Sequence, residues 1–211
     1  MASDGTRLGP FRLTRVIGQG AMGVVWAAQH RARGKEVAIK LLHEGSLRDD
    51  WALESFQKEV RAQAGLSHAG IVTVLDHGVV DKKTPGLQAG APYLVMEIID
   101  GVQLHGYTAR MPWSRLRDVL FQLLDALSHS HARGVIHRDL KPGNVIVLRN
   151  RGQIATPTGQ DPFRITLTDF GLAQAVDRGS PADAVVAGTP AYMAPEQLYG
   201  LWRDQGPWTD L

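Results

Sequence analysis

The chain has 211 residues, of which 44% are hydrophobic and 21% charged, and it contains no cysteine. This composition is that of a globular protein and excludes disordered, collagen-like and disulfide-stapled chains, as well as thiolate zinc sites and thiol nucleophiles. The formal net charge is +2 and the basic residues are scattered, which argues against nucleic-acid binding. No apolar run approaches the ~20 residues of a membrane helix and no signal-peptide core is present, so we expect a soluble cytoplasmic domain.

The N-terminal part of the chain is predicted to form mainly antiparallel strands. Its segments are rich in β-branched or bulky apolar residues and are separated by glycines and charged residues. One segment instead has apolar residues at three- and four-residue spacing, which predicts an amphipathic helix. The predicted strands are Phe11–Gly18, Gly23–Gln29, Glu36–Leu42, Ile71–Leu75 and Tyr93–Ile98, and the helix covers roughly Trp51–Leu66.

After Asp100 the sequence becomes more helical. A helix is predicted from Pro112 to Arg133, because leucines recur along one face and Gly134 provides a C-terminal stop. Residues 149–162 are rich in Gly, Pro and Thr and are predicted to be a loop. Short strands are predicted at Val135–Ile136, Val145–Leu148 and Ile165–Thr168. We therefore expect two lobes, residues 1–99 and residues 100–211.

A glycine string, Gly18-Gln19-Gly20-Ala21-Met22-Gly23, lies between two predicted strands. A dinucleotide-binding turn would open a helix, whereas Gly23 leads into a strand, and the Gly-Lys-Ser/Thr of a Walker loop is missing. The remaining functional interpretation is a hairpin whose backbone N–H groups approach phosphates. An ordinary turn is the alternative.

Charged residues elsewhere could supply phosphate chemistry. Lys40 lies in the strand sequence VAIK and could be a fixed cation paired with Glu59 of the helix, although a solvated surface pair is the alternative. The string HRDLKPGN is more specific, because Asp139 could accept a hydroxyl proton and Lys141 could neutralise a phosphoryl group. Two further side chains could hold a metal ion: Asn144 of the same string and Asp169 of the DFG sequence.

These motifs, in this order, resemble those of eukaryotic-like Ser/Thr protein kinases of bacteria. The matching strings are GQGAMGVV, VAIK, a helix glutamate, LVME, HRDLKPGN, DFG and GTPAYMAPEQ. The resemblance implies an α+β, protein-kinase-like two-lobe fold, with an antiparallel sheet and one helix in the N-lobe and an incomplete helical C-lobe. It also implies transfer of the γ-phosphoryl group of ATP to Ser/Thr hydroxyls of protein substrates.

The resemblance also assigns roles to individual residues. Lys40, paired to Glu59, would hold the α- and β-phosphates, while Asp139 would accept the proton and Lys141 would contact the phosphoryl group. Mg²⁺, with Mn²⁺ as an alternative, would be bound by Asn144 and Asp169. The residues implied to contact ATP are Gly18, Gly20, Gly23, Val25, Ala38, Lys40, Met96 as gatekeeper, the backbone of Glu97 and Ile99, and Ile146.

Regulatory residues are implied in the activation segment. Thr189 matches the threonine of the family's substrate platform, and Asp183 occupies the position at which an activating threonine is often found. We hypothesise that Asp183 is a fixed negative charge that pairs with Arg138 in place of a phosphate. An exposed aspartate without a role is the alternative, and Ser180 is the competing phosphorylation site.

The sequence ends where the family continues into further helices. The resemblance implies that Glu196 pairs with an arginine beyond Leu211. It also implies that Asp210 stabilises the catalytic loop, the HRDLKPGN string at His137–Asn144. We expect a C-terminally truncated kinase domain with an exposed apolar patch on the helix after Pro112, and hence marginal stability. A catalytically weak scaffold or nucleotide-binding module and a small-molecule phosphotransferase are alternatives. Kinase-domain dimerisation and membrane anchoring of a longer form are left open.

Overall fold

The computed structural model describes residues 4–20, 23–42, 50–107, 111–148, 164–170 and 190–211, with the backbone alone at residues 50–55, 59 and 202. These residues cluster into two compact units. Residues 4–64 and 73–98 belong to the first unit, and residues 65–72, 99–170 and 190–211 belong to the second. In the described ranges, no helix combines the length and the apolarity that a membrane crossing requires.

The first unit is built on an antiparallel sheet. Its β-branched and bulky apolar residues favour strands, and one amphipathic helix interrupts them. The elements are β1 (Arg7–Leu8), β2 (Phe11–Gly20), β3 (Gly23–His30), β4 (Glu36–Leu42), α1 (Asp50–Ala64), β5 (Val74–Val79) and β6 (Pro92–Glu97). The strands lie side by side in the order β1-β2-β3-β4-β6-β5.

The hydrophobic core of the first unit covers one face of this sheet. Side chains alternate between the two faces of a strand, so every second residue of β3, β4 and β6 enters the core. These core residues include Trp26, Val37, Ile39, Leu41 and Val95. The residues between them in sequence project from the opposite face of the sheet.

The second unit contains a smaller antiparallel sheet and the longest helix. Its elements are β7 (Gly101–Gln103), α2 (Trp113–His131), β8 (Val145–Leu148), β9 (Ile165–Leu167) and α3 (Pro195–Leu198). The strand order is β7-β8-β9. One face of α2 packs against the strands through Val119, Ala126 and Leu127, in a core that includes Val145 and Leu167.

The other side of α2 is also apolar, and it is exposed. The most exposed of these side chains, Trp113, retains 69% of its accessible surface. The expected apolar patch on this helix is therefore present. Its members are Trp113, Leu116, Leu120, Phe121 and Leu124.

Several boundaries differ from the sequence prediction. The strand predicted at Ile71–Leu75 is wrong in position: β5 starts at Val74, whereas Ile71 forms an isolated parallel bridge with Leu167 of β9. No strand forms at Val135–Ile136, because the Val135 N–H bonds Ser130 O across the left-handed Gly134 and closes the end of α2.

The edges of the sheets were also mispredicted. The short strands β1 and β7 were not predicted, and β2 was predicted to stop at Gly18. In the structure β2 continues to Gly20, which pairs with Gly23 of β3. The glycines of the string therefore lie on paired antiparallel strands, as its non-helical interpretation required.

Candidate active site

Lys40 lies on the face of the first sheet that is opposite the hydrophobic core. It pairs with Val25 of β3, and Ala38, two residues earlier, pairs with Met96 of β6. Paired residues of neighbouring strands share a face, so these four side chains project from the same side of the sheet. Lys40 is only 5% exposed, which makes it a buried cation held on a rigid strand. The sheet thus gathers several of the residues predicted to contact ATP.

The three glycines of the hairpin differ in what surrounds them. A Cβ added at Gly23 would collide with the Leu41 carbonyl oxygen, so the approach of β4 excludes any side chain there. At Gly18 an added Cβ would make ordinary contact with Val25, and at Gly20 it would meet nothing within 4 Å. The described neighbours therefore do not explain the glycine at position 20, where open space borders the backbone.

Glu97, the last residue of β6, and Ile99, two residues later, are predicted to contact adenine through their backbone. The Glu97 N–H donates to Thr73 O at 3.0 Å, and the Glu97 carboxylate accepts from Thr73 N at 2.7 Å. Since that N–H is already used, an adenine contact by the Glu97 backbone would have to use its carbonyl oxygen, and the contact stays a prediction. Ile99 belongs to the second unit, as does Ile146, which pairs with Gln103 and Thr166 in the centre of the smaller sheet.

Asp139, Lys141 and Asn144 form a hydrogen-bonded group, here called the Asp139 cluster. Lys141 Nζ donates to both carboxylate oxygens of Asp139, at 2.9 and 2.8 Å. Asn144 Nδ2 donates to the same carboxylate at 2.8 Å and to the Asp139 carbonyl at 2.7 Å. Because Nδ2 is used in this way, Oδ1 is the side-chain atom of Asn144 that could ligate a cation. The loop thus fixes a carboxylate between a cation and an amide.

The pairing of β8 with β9 places Asp169 close to this cluster in the fold. Val145, which follows Asn144, pairs with Leu167, and the Thr168 N–H donates to Asn144 O at 2.9 Å. Asp169 comes next in the chain and adopts a left-handed backbone with φ of 62°. Two side chains with hard oxygen ligands, the type that Mg²⁺ prefers, therefore sit at adjacent ends of neighbouring strands.

His137 connects the catalytic loop to the DFG segment. Its ring is fully buried, with Nε2 2.9 Å from Thr168 O and the ring centroid 4.5 Å from that of Phe170. Nδ1 accepts a hydrogen bond from Asp139 N at 3.3 Å, so Nε2 must carry the proton that Thr168 O accepts. Burial lowers the pKa of His137 and outweighs the opposing influence of the Asp210 carboxylate. The uncharged ring thus connects the catalytic loop, at Asp139, to the DFG segment, at Thr168.

This lowered pKa predicts a loss of stability in acid. Above about pH 6.5 the His137 ring is neutral in both the folded and the unfolded chain. Below that pH the ring becomes protonated in the unfolded chain, whereas in the folded chain burial keeps it neutral. We expect the free energy of unfolding to decrease as the pH falls from about 6.5, by up to about 1.4 kcal/mol per pH unit from this group. Urea unfolding between pH 5 and pH 8 measures the slope. A His137→Gln variant should have a shallower slope, and an unchanged slope would contradict the assignment.

Asp210 holds the start of the catalytic loop, as the resemblance implied. Its side chain is completely buried and accepts from His137 N at 2.8 Å and from Arg138 N at 2.7 Å. His131 at the end of α2 lies 2.7 Å from the same carboxylate. Arg138 is held in a left-handed conformation with φ of 63°, which residues with a Cβ rarely adopt. The hydrogen bond that the Arg138 N–H donates to the Asp210 carboxylate helps to stabilise that strained turn.

Glu196 bonds Thr209 within the described residues, and its implied pairing with an arginine beyond Leu211 stays a prediction. Its Oε1 accepts from the Thr209 hydroxyl at 2.6 Å, and Thr209 Oγ1 in turn accepts from Gly206 N at 3.0 Å. Among the other predicted site residues, the side chain of Glu59 is outside the described part of the structure. So are Ser180, Asp183 and Thr189, and the proposed pairing of Asp183 with Arg138 stays a prediction.

Sequence reasoning did not single out three residues that the structure adds to this site: Thr168, His131 and Gln197. Gln197 Nε2 donates to Arg138 O at 2.7 Å. A signal existed for two of them, since Thr168 directly precedes DFG and Gln197 ends the quoted string GTPAYMAPEQ. His131 had none, because its partner Asp210 is 79 residues away in sequence.

Comparison with known proteins identifies the family. The family model described as "Protein kinase domain" matches residues 11–209 of the chain. The chain belongs to this family. The expected protein-kinase-like fold is likewise confirmed: the crystal structure of the Mycobacterium tuberculosis PknI kinase domain matches with a TM-score of 0.72 and 26% identity, covering 100% of this chain and 73% of that one.

Curated relatives of this kinase domain are bacterial Ser/Thr protein kinases. Serine/threonine-protein kinase PknA of Mycobacterium tuberculosis is 39% identical over 210 residues, which is 98% of this chain and 45% of the relative. Serine/threonine-protein kinase Pkn1 of Myxococcus xanthus is 37% identical over 203 residues, covering 95% of this chain and 27% of the relative. The chain spans less than half the length of these relatives. The family model therefore shows membership of the protein kinase domain family, and the Ser/Thr protein kinases of bacteria are the relatives to which the chain is similar.

Proposed function

We propose that this kinase domain transfers the γ-phosphoryl group of ATP to Ser or Thr hydroxyls of protein substrates. The observation that carries the proposal is the Asp139 cluster, in which Lys141 Nζ lies within 2.9 Å of both oxygens of Asp139. A carboxylate fixed beside a cation can orient a hydroxyl and accept its proton while the cation stabilises the phosphoryl charge. Since this chemistry consumes ATP, we expect it to take place in the cytoplasm.

The described residues fit ATP and Mg²⁺. In the first unit, Gly20 carries no side chain that would obstruct an approaching phosphate, and the buried Lys40 supplies a fixed positive charge. In the second unit, Asn144 Oδ1 and the Asp169 carboxylate are oxygen donors of the kind that Mg²⁺ requires. Lys40 would therefore hold the phosphates, and Asn144 and Asp169 would hold the metal ion.

The mechanism follows from the charges of these residues. When bound, ATP supplies the phosphoryl group and Mg²⁺ neutralises part of its negative charge. Asp139 accepts the proton of the acceptor hydroxyl, whose oxygen forms the new bond to phosphorus as the bond to the ADP oxygen breaks. Lys141 keeps Asp139 oriented and supplies positive charge near the transferring group. Asn144 fixes the Asp139 carboxylate through its Nδ2, so that the base does not have to be ordered during the reaction.

Replacing Lys40 with methionine tests the phosphate-binding role. We expect kcat/KM for ATP to decrease about 10- to 100-fold, because a charge-assisted contact to the phosphates is lost while the aliphatic stem is kept. ADP release and phosphopeptide formation are measured with Mg-ATP and a library of Ser- and Thr-containing peptides. Lys35→Met is the matched control, since Lys35 is exposed and lies directly before β4.

The same experiment separates catalysis from nucleotide binding. Calorimetry with Mg-ATP measures binding directly, and phosphopeptide formation measures transfer. Binding without any transfer would refute the proposal and favour the alternative of a non-catalytic nucleotide-binding module. If Lys40→Met and Lys35→Met change kcat/KM for ATP equally, the assignment of Lys40 to phosphate binding is contradicted.

A further inference from the structure

Gln197 uses both ends of its side-chain amide. Its Nε2 donates to the carbonyl oxygen of Arg138 at 2.7 Å, and its Oε1 accepts from the backbone N–H of Ala194 at 3.0 Å. A carbonyl oxygen can only accept and a backbone N–H can only donate, so the two partners determine the orientation of this amide. Gln197 therefore joins the first turn of α3 to the catalytic loop.

The group that Gln197 contacts is the peptide between Arg138 and Asp139. The N–H of that peptide belongs to Asp139 and donates to His137 Nδ1 at 3.3 Å. Its carbonyl oxygen is the one bound by Gln197. The Arg138–Asp139 peptide, which directly precedes the catalytic side chain, is thus fixed by one hydrogen bond at its N–H and one at its carbonyl oxygen. Arg138 itself is left-handed, so this peptide would readily adopt other orientations without such contacts.

We propose that Gln197 is a positioning residue for Asp139: it fixes the Arg138–Asp139 peptide and thereby the direction of the catalytic carboxylate. The proposal rests on the proposed kinase function and adds a residue to the same site. It also has a consequence for substrate coupling. α3 begins at Pro195, three residues after the end of the 3₁₀ turn Pro190–Tyr192, and both lie in the string GTPAYMAPEQ, whose Thr189 matches the threonine of the family's substrate platform. Gln197 links that platform to the base.

A Gln197→Glu variant tests this role with little change of shape. The glutamate can still accept from Ala194 N–H, but it places an oxygen instead of a donor against the Arg138 carbonyl. We expect kcat for peptide phosphorylation to fall about tenfold or more, with KM for ATP changed less than about twofold. Gln88→Glu makes the same chemical change at an exposed loop position and should leave both constants unchanged.

Hydrogen exchange of the Asp139 amide provides a readout that does not depend on activity. We expect this amide to exchange faster in Gln197→Glu than in the wild type, while amides in the middle of α2 keep their protection. If kcat and Asp139 exchange both match the wild type, the proposal is overturned. If the wild type shows no phosphoryl transfer, the proposed function fails, and the exchange measurement alone decides the role of Gln197.

A second variant covers the case in which Gln197→Glu unfolds. Gln197→Met removes both hydrogen bonds without adding charge or much volume. If α2 keeps its protection in this variant, faster exchange at Asp139 supports the proposal. Unchanged exchange at Asp139 in the folded Gln197→Met chain overturns it.

Discussion

Replacing Asp139 with asparagine is expected to slow phosphoryl transfer to a peptide hydroxyl by about 10²- to 10⁴-fold. The amide has almost the shape of the carboxylate but cannot accept the proton of the acceptor hydroxyl. It also removes the negative charge that Lys141 approaches at 2.8 and 2.9 Å. The measurement is single-turnover phosphopeptide formation at saturating Mg-ATP. Binding of ATP should change little, since Asp139 is assigned to the acceptor rather than to the nucleotide.

The control for this prediction is Asp118→Asn on α2. The Asp118 side chain is 48% exposed and lies 3.4 Å from Arg117, so the same loss of charge there should leave the rate near that of the wild type. A rate for Asp139→Asn within about threefold of the wild type would contradict its assignment as the proton acceptor.

Replacing Asp210 with asparagine is expected to lower the free energy of unfolding by about 3 kcal/mol or more. The buried carboxylate accepts from two backbone N–H groups, those of His137 and Arg138, and lies against His131. In the asparagine, an NH₂ group would replace one carboxylate oxygen. This NH₂ would then point at a backbone N–H, so that two hydrogen-bond donors would face each other. It would also leave a buried N–H without its acceptor, and the left-handed turn at Arg138 would lose support.

Urea unfolding at neutral pH measures this effect, and Asp204→Asn is the matched control. Asp204 is exposed, and the hydrogen bond from Trp208 Nε1 goes to its backbone carbonyl, so its carboxylate can be neutralised without removing that bond. A loss below about 1 kcal/mol for Asp210→Asn would show that the carboxylate is not needed to hold the loop.

The central strands of the first sheet could be predicted from the sequence because their pattern is local. β-Branched and apolar residues between glycines and charges identify β3 and β4 to within a residue at either end. The short strands β1 and β7 could not be found in this way. They have two and three residues with one bulky apolar residue each, whereas β9, which is equally short, consists of β-branched and apolar residues throughout.

The strand predicted at Ile71–Leu75 shows a different limit. Its apolar run was identified correctly, but Ile71 and Val74 take part in different sheets, with Ile71 bridging to Leu167 and Val74 pairing with Met96. Hydrophobicity predicts burial at such positions and does not specify the neighbour. That choice depends on tertiary contacts distant in sequence.

The candidate site shows the same division. The residues assigned to chemistry, such as Asp139 and Lys141, were found because motif spacing brings them together within one loop. The residues that hold this loop in place were harder to find. Gln197 reaches Arg138 over 59 residues of sequence, and no local pattern indicates such a bond. Glu196 is a similar case: no motif indicates its bond to the Thr209 hydroxyl, and its implied pairing with an arginine beyond Leu211 stays a prediction.

Two adjacent residues of β4 are subject to different evolutionary constraints, because they project from opposite faces of the sheet. Ile39 is enclosed by the apolar cluster, so natural variation there is limited by volume, and valine or leucine should be exchangeable at modest cost. At Lys40, its neighbour, variation is limited by the need for a positive charge of the right size and position. Even arginine would therefore be a poor replacement, because its planar guanidinium differs in shape from a compact ammonium group. Because the side chains on both faces of β4 are buried from Val37 to Leu42, substitutions should be constrained along the whole strand, and the two residues differ in whether volume or charge sets the constraint.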